Sequence, residues 1–443
     1  MDQASNAQSQ GAVMTDGETG RHRVLDTAPP SAGQALGTPG AAQPDPVAAT
    51  AAPVPRGRGR LDAVDVLRGI VMILMALDHT RDYLGNAAAS PTDLATTTVP
   101  LFFTRWITHF CAPVFFLLTG TGAYLTLRRK SPAGLSRFLL TRGLWLVLLE
   151  LTVVRFLWQF NVDYRVTMLN VLWALGWSMV ALAALVRLPH WLVPALGLAM
   201  IALHNLADAV QPAAFGALAP LWTVLHQPGF LVATPGFTVF VAYPLVPWIG
   251  VTAVGYGLGR VLTWPPERRR TFLLRTGAGL TLAFVALRAL NLYGDPRPWA
   301  AQGSAAFTWL AFLNTNKYPP SLLFLLMTLG PALLFLWLAD GRVPRLLRPA
   351  LVIGRVPFFY YVLHVALLHA LAVVACYARY GGVHWMFESP SIDRFPVTQP
   401  PGWPASLPVV YLAWVAVVVL LYPCCRWYAA LKARRTDAWL SYL

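Results

Sequence analysis

The run Leu77-Asp-His-Thr-Arg-Asp-Tyr83 crowds two carboxylates, an imidazole and a guanidinium into less than two helical turns. On a helix Asp78, Arg81 and Asp82 stand at i, i+3 and i+4 and share one face, with His79 and Tyr83 on the neighbouring one. An imidazole beside carboxylates is equipment for proton transfer, because a carboxylate can orient a histidine that takes and returns protons. Arg105 and His109, one turn apart, and His369 further along the chain are the other groups able to join them.

All of these residues sit in or at the ends of apolar stretches, where a charged side chain is costly and needs a partner or a purpose. Of the 443 residues, 56% are hydrophobic and only 12% charged, against about a quarter charged in soluble domains. Long apolar stretches recur from residue 64 onward, which excludes a soluble enzyme, a disulfide scaffold and a disordered chain. The fold class is therefore all-α: a polytopic transmembrane helical bundle of about ten spans. They are expected over 64–84, 101–125, 138–158, 166–186, 189–205, 237–259, 271–293, 319–338, 356–376 and 407–425. The stretch 215–226 reads as a re-entrant or short interfacial helix.

The formal charge of +15 does not indicate nucleic acid, because the cations cluster in short segments between spans. Segments assigned to the cytoplasm from Arg56 onward hold 20 Lys and Arg, and the outer loops hold 5. Both termini are thus expected inside. Residues 1–60, rich in Ala, Pro and Gly with no net charge, read as a disordered tail without a signal peptide. The membrane domain follows over 61–428, and 429–443 is a short basic cytoplasmic tail.

At about 1.5 Å per residue, His79, His369 and His109 lie roughly 7, 10 and 12 Å below the outer end of their spans. His79, beside two carboxylates and an arginine, reads as functional; His364, deeper and after Phe358-Phe-Tyr-Tyr361, reads as packing. Glu150 lies near the middle of the third span, with Arg105 as its expected partner, and Asn316-Lys-Tyr-Pro-Pro-Ser321 reads as a shaped helix entry. No metal site is expected, since His79, His109, His369 and Asp78 lack any HxxxH or HxxE spacing. The four cysteines lie in or at the ends of apolar segments and form no CxxC. No GxSxG, Walker loop or dinucleotide fingerprint occurs.

The stretch Arg60-Leu-Asp-Ala-Val-Asp-Val-Leu-Arg-Gly-Ile-Val-Met-Ile-Leu-Met-Ala-Leu-Asp-His79 resembles the opening of the heparan-α-glucosaminide N-acetyltransferase-like family of multi-span membrane acyltransferases. Phe110-Cys-Ala-Pro-Val-Phe-Phe-Leu-Leu-Thr-Gly120 is similar to that family's Pro-centred run. Lys317-Tyr-Pro-Pro-Ser321 and Gly354-Arg-Val-Pro-Phe-Phe-Tyr-Tyr-Val-Leu-His364 resemble its bacterial branch. Related acyltransferases with an essential first-span histidine place it after Arg-Gly at the spacing of Arg68 to His79. The lysosomal enzyme instead carries a histidine in the loop before the second span; 85–100 holds none here, so the resemblance implies the family and not the heparan acceptor.

The resemblance implies acetyl transfer across a membrane, from cytoplasmic acetyl-CoA to a sugar or glycan acceptor outside, in a bacterial inner membrane with lipid as neighbour and no bound cofactor. In that setting Arg68, Arg137 and Arg142 are placed to hold the phosphate end of the donor. His79 would act as base or acyl carrier, oriented by Asp78 or Asp82, with Arg81 or Arg105 on the oxyanion and His109 as the second candidate base. The rival reading is a transporter or channel for a small polar solute, which calls for ionisable groups at the midplane of several spans.

Overall fold

Apolar runs closed by Ser, Thr, Asn and Pro at their starts give this chain its helices, with polar side chains capping the first free amides. The computed structural model describes residues 62–440 apart from 87–89, 128–129, 342, 436 and 438–439, and the tail expected over 1–60 lies outside the described residues. The helices run in order as α1 (Asp62–Leu84), α2 (Val99–Thr108), α3 (Cys111–Leu127), α4 (Pro132–Leu149), α5 (Arg155–Gln159), α6 (Val171–Leu185), α7 (Leu192–Leu203) and α8 (Ala219–Leu225). After these come α9 (Leu245–Val261), α10 (Pro266–Leu290), α11 (Ala305–Leu313), α12 (Leu322–Ala339), α13 (Arg348–Arg355), α14 (Pro357–Tyr380) and α15 (Leu407–Arg434).

α1 is the hub. Its buried residues lie all round the helix, as expected of one surrounded by others, and it packs against α2, α3, α12, α13, α14 and α15. Around it α3 packs on α9, α4 on α6, α7 on α9 and α10 on α12. α15 and α10 are peripheral and turn Leu412, Val419 and Leu420, and Leu282, Val285 and Leu290, outward. Apolar side chains exposed in such rows on long helices call for lipid as their solvent.

Among the described residues, five stretches are both long and apolar enough to cross a bilayer: Val99–Leu127, Pro266–Leu290, Leu322–Ala339, Pro357–Tyr380 and Leu407–Arg434. A sixth arises if the pair Leu192–Ala207 and Pro212–Leu225, bent by 111°, is one span. The other expected spans are divided or charged. Residues 138–158 fall into α4, a π-helical turn over Glu150–Val154 and α5, and 189–205 into the 12-residue α7 and a 3-10 turn. α1 spans 23 residues but carries Asp62, Asp65, Arg68, Asp78, Arg81 and Asp82. The second stretch is one apolar run broken at His109 and Phe110, because Pro113 has no N–H for the His109 carbonyl.

The all-α expectation needs a correction. Three strands, β1 (Val166–Leu169), β2 (Gly229–Thr234) and β3 (Phe237–Val241), form a sheet in the order β1-β3-β2. β1 pairs parallel with β3, with Val166 opposite Thr238 and Leu169 opposite Val241, and β2 pairs antiparallel with β3. The runs at 166 and 237 open as strands and not as helices; short apolar runs of β-branched residues do not reveal their period. Each strand instead feeds a helix: β1 leads to α6, whose first amide bonds the Asn170 side chain at 3.0 Å, and β3 leads to α9. α15 runs on to Arg434, past the boundary expected at 428.

The position of α1 depends on its crossing with α13. A Cβ built on Gly69 would lie 1.8 Å from the Ala350 carbonyl oxygen, and one on Gly354 would lie 1.8 Å from that of Asp65. The backbones touch there, and the Gly354 carbonyl accepts a bond from Arg68 at 3.1 Å. Gly354→Val is expected to destabilise the protein by about 3 kcal/mol or more, since backbone cannot yield as a rotamer does. Thermal unfolding in detergent measures it, and an unchanged melting temperature would show that the helices separate at no cost.

Candidate functional site

The C-terminal turns of α1 carry the Asp78–Asp82 run into a cavity of about 520 Å³. Asp78, His79, Arg81 and Asp82 line it with Arg105 of α2, Trp158 of α5, Met168 of β1, Phe240 of β3, Tyr361 of α14 and Lys317 and Tyr318 from the loop before α12. The sheet is thus part of the cavity wall. The Lys317 loop is fixed through Asp295, which accepts from the Asn316 amide at 2.8 Å and the Ser321 hydroxyl at 2.7 Å. Buried Arg288 donates to the carbonyls of Arg297, Ala311, Phe312 and Asn314 and so ties the same loop to α11.

The expected carboxylate–arginine row on α1 is present. Arg81 reaches Asp78 at 3.1 Å and Asp82 at 2.5 Å, and Arg105 bonds the other oxygen of Asp78. Arg105 therefore partners Asp78 and not Glu150. The Glu150 carboxylate instead meets the backbone amides of Leu172 and Trp173 in the first turn of α6, where free N–H groups welcome an acceptor.

Neither Asp78 nor Asp82 bonds His79. Its partner is a residue whose sequence context suggests packing: His79 Nδ1 lies 2.7 Å from His364 Nε2, and the two rings stack at 5.0 Å with 8° between their planes. His364 is fully buried, and its Nδ1 lies 2.9 Å from the Tyr360 carbonyl. A carbonyl only accepts, so His364 Nδ1 carries the proton and its Nε2 is the acceptor in a neutral ring. His79 must then donate from Nδ1, which leaves its Nε2 as the lone pair. That atom has no hydrogen-bond partner among the described residues, and the ring lines the cavity.

The ring's position is set on its other side by Trp158, which meets it edge-on at 4.7 Å. Tyr83 donates to the Trp158 carbonyl at 2.9 Å and stacks on its indole. Tyr83 itself is held by α15's approach, where Trp403 donates to its carbonyl at 2.9 Å.

His109 and His369 lie apart from this cavity. His369 bonds the Leu157 and Met386 carbonyls and stacks on Phe160 at 3.8 Å, a packing role. His109 is buried at the break after α2, 5.3 Å from Phe324, and lines a smaller cavity of about 300 Å³ that shares Arg81, Arg105, Arg297, Lys317 and Tyr318 with the larger one.

A third cavity of about 370 Å³ lies toward the other end of α1. Arg68 and Arg142 line it, joined by Arg355 and Lys432, which sequence reasoning did not select; the signal available was their place in segments counted as cytoplasmic. Arg137 is exposed and does not line this cavity. Met75, Phe115, Val171 and Tyr361 line both this cavity and the one at His79, so the two meet across those four side chains. One wall set therefore separates an imidazole lone pair from a cluster of four cations.

The sequence model of the family described as Heparan-alpha-glucosaminide N-acetyltransferase, catalytic, matches residues 60–294, just over half of the chain. That stretch includes α1, the broken α2–α3 pair, the sheet and Arg142. No curated protein matches the chain.

Proposed function

This chain belongs to the heparan-alpha-glucosaminide N-acetyltransferase catalytic family, and from that premise we propose that it moves an acetyl group from cytoplasmic acetyl-CoA to a sugar or glycan acceptor on the outer side of a bacterial inner membrane. The family makes it a membrane acetyltransferase. The finer reading rests on one observation: the cationic cavity and the His79 cavity meet at Met75, Phe115, Val171 and Tyr361.

In this proposal the chain crosses about ten times with both termini cytoplasmic, and the membrane domain of residues 61–428 is joined in donor binding by Lys432 of the C-terminal tail. Arg68, Arg142, Arg355 and Lys432 take the donor's phosphates from the cytoplasm. The roughly 16 Å along α1 from Arg68 to His79 suits an extended thiol arm carrying its thioester past the shared wall. At the outer end His79 Nε2 takes the proton from the acceptor hydroxyl or amine as that group attacks the thioester carbonyl. The C–S bond breaks and the sulfur leaves with the proton returned from His79. Arg105, Arg81 and Lys317 are the cations available to the developing oxyanion. A route through acetyl-His79 uses the same lone pair as nucleophile.

A solute transporter would use the same two cavities. The partition between them is lined by Met75, Phe115 and Val171 with one tyrosine, an apolar barrier to a small polar solute and a tolerable sleeve for an acyl chain.

The test is transfer of labelled acetyl from acetyl-CoA, compared in inverted and right-side-out membranes. Inverted membranes should take label from added donor, and intact right-side-out ones should not. Arg142→Glu and Lys432→Glu are each expected to raise KM for acetyl-CoA by about tenfold, with kcat changed far less, since these cations bind the donor's remote end. No transfer from any acyl-CoA by folded protein would return the assignment to the transporter.

A further inference from the structure

Away from both cavities, the bend after α7 gathers three groups for which the acetyl-transfer reading has no use. His204 opens the 3-10 turn that ends α7, Asp208 follows one turn later, and His226 closes α8 after the 111° bend. One ligand atom from each lies within 4.8 Å of the others. His204 is 6% exposed, yet neither of its ring nitrogens makes a hydrogen bond among the described residues. His226 is 2% exposed; its Nε2 lies 3.2 Å from Asp208 Oδ1 but makes no hydrogen bond. Leaving such buried polar atoms unsatisfied costs about 1–3 kcal/mol each. This cluster departs from the sequence-based expectation of no metal site, which rests on His79, His109, His369 and Asp78 and leaves out these three residues.

We propose that His204, Asp208 and His226 bind a divalent transition metal, zinc by their donor set, which staples the bend between α7 and α8. Two imidazoles and a carboxylate suit zinc, and three protein ligands leave a fourth position to water. Bonds of about 2.1 Å in a tetrahedral site separate the donors by about 3.4 Å. The Asp208–His226 pair already stands near that separation, and His204 needs only a small ring movement to complete the set.

The surroundings are built to hold the ligands. Asn205 donates to Asp208 Oδ2 at 2.7 Å, leaving Oδ1 for the metal, and Asn205 is itself held by the Leu322 amide at 2.8 Å. Gln227 donates to the Asp208 carbonyl at 3.1 Å. Pro228, two residues beyond His226, lines the His79 cavity, so the staple would fix part of that wall.

The experiment uses full-length protein purified in detergent through a tag without histidine. Metal content is measured by mass spectrometry for wild type, Asp208→Asn and His226→Ala, and Co²⁺ is titrated into chelator-treated wild type while its visible spectrum is recorded. Expected are about one zinc per wild-type chain, less than about a tenth of that in either variant, and intense ligand-field bands of low-coordinate Co²⁺ that zinc displaces. EDTA should lower the melting temperature of wild type and leave that of the variants unmoved. Metal retained equally in both variants overturns the site. So does wild type that holds neither zinc nor a cobalt spectrum after addition, and this arm decides the matter if the variants fail to fold.

Discussion

Replacing His79 by alanine is expected to lower acetyl transfer about a thousandfold while the protein remains folded and still binds acetyl-CoA. The size follows from removing the base whose lone pair faces the cavity, an effect in the range of 10²–10⁴ for general acid–base groups. His364 gives the prediction its second arm. Its Nε2 accepts the proton on His79 Nδ1 at 2.7 Å and so selects the tautomer with the free lone pair at Nε2. His364→Phe keeps the stacked ring but removes the acceptor, so activity should fall about a hundredfold, mainly in kcat. His364→Gln returns an acceptor oxygen at similar reach and should recover most of that loss. A His364 that only fills space would give the opposite order, with Phe tolerated better than Gln. Acetyl transfer left intact in His79→Ala would remove His79 from the chemistry, and loss confined to His109→Ala would pass the role to the smaller cavity.

The parts of this site legible in the sequence are those written by local spacing. Asp78, Arg81 and Asp82 meet because i, i+3 and i+4 meet on any helix, and Arg81 bridges both carboxylates. What a single span cannot show is which residue of a distant helix comes alongside. His364 lies 285 positions from His79, and its aromatic neighbours give it the look of filler. Arg105 and Glu150 look like partners because both sit at depth in adjacent apolar runs. In the structure Arg105, on α2, turns to Asp78, and Glu150, at the start of a π turn, faces the start of α6. Lys317 reads from its neighbours as part of a helix entry. Ser321 does cap α12, accepting from the Phe324 amide at 3.0 Å, but the same loop turns Lys317 into the cavity. The sheet is hidden for a related reason. β1 and β3 are four and five residues long and run directly into helices, so hydropathy merges each strand with the helix after it.

Breaking the Asp78–Arg105 pair is expected to cost the protein a large part of its stability. The two side chains are only 13% and 15% exposed, and Arg81, the other cation on Asp78, also serves Asp82. Arg105→Met therefore leaves Asp78 short of a counter-charge in a setting with little water, at a cost of about 3–5 kcal/mol. Asp78→Asn strands Arg105 near Lys317 and should cost about as much. The double variant removes both charges together, and an ion pair out of bulk water is worth little over an uncharged replacement. Its loss should be smaller than the sum of the singles by about 2 kcal/mol or more, a coupling that thermal unfolding in detergent can read. Activity separates positioning from chemistry. If Arg105 only shapes α1 and α2, the double variant regains acetyl transfer along with stability. As an oxyanion donor it predicts the reverse: a stable double variant whose kcat stays about a hundredfold or more below wild type. Additive losses in stability would show that the pair is not coupled, and restored kcat would shift the oxyanion role to Arg81 or Lys317.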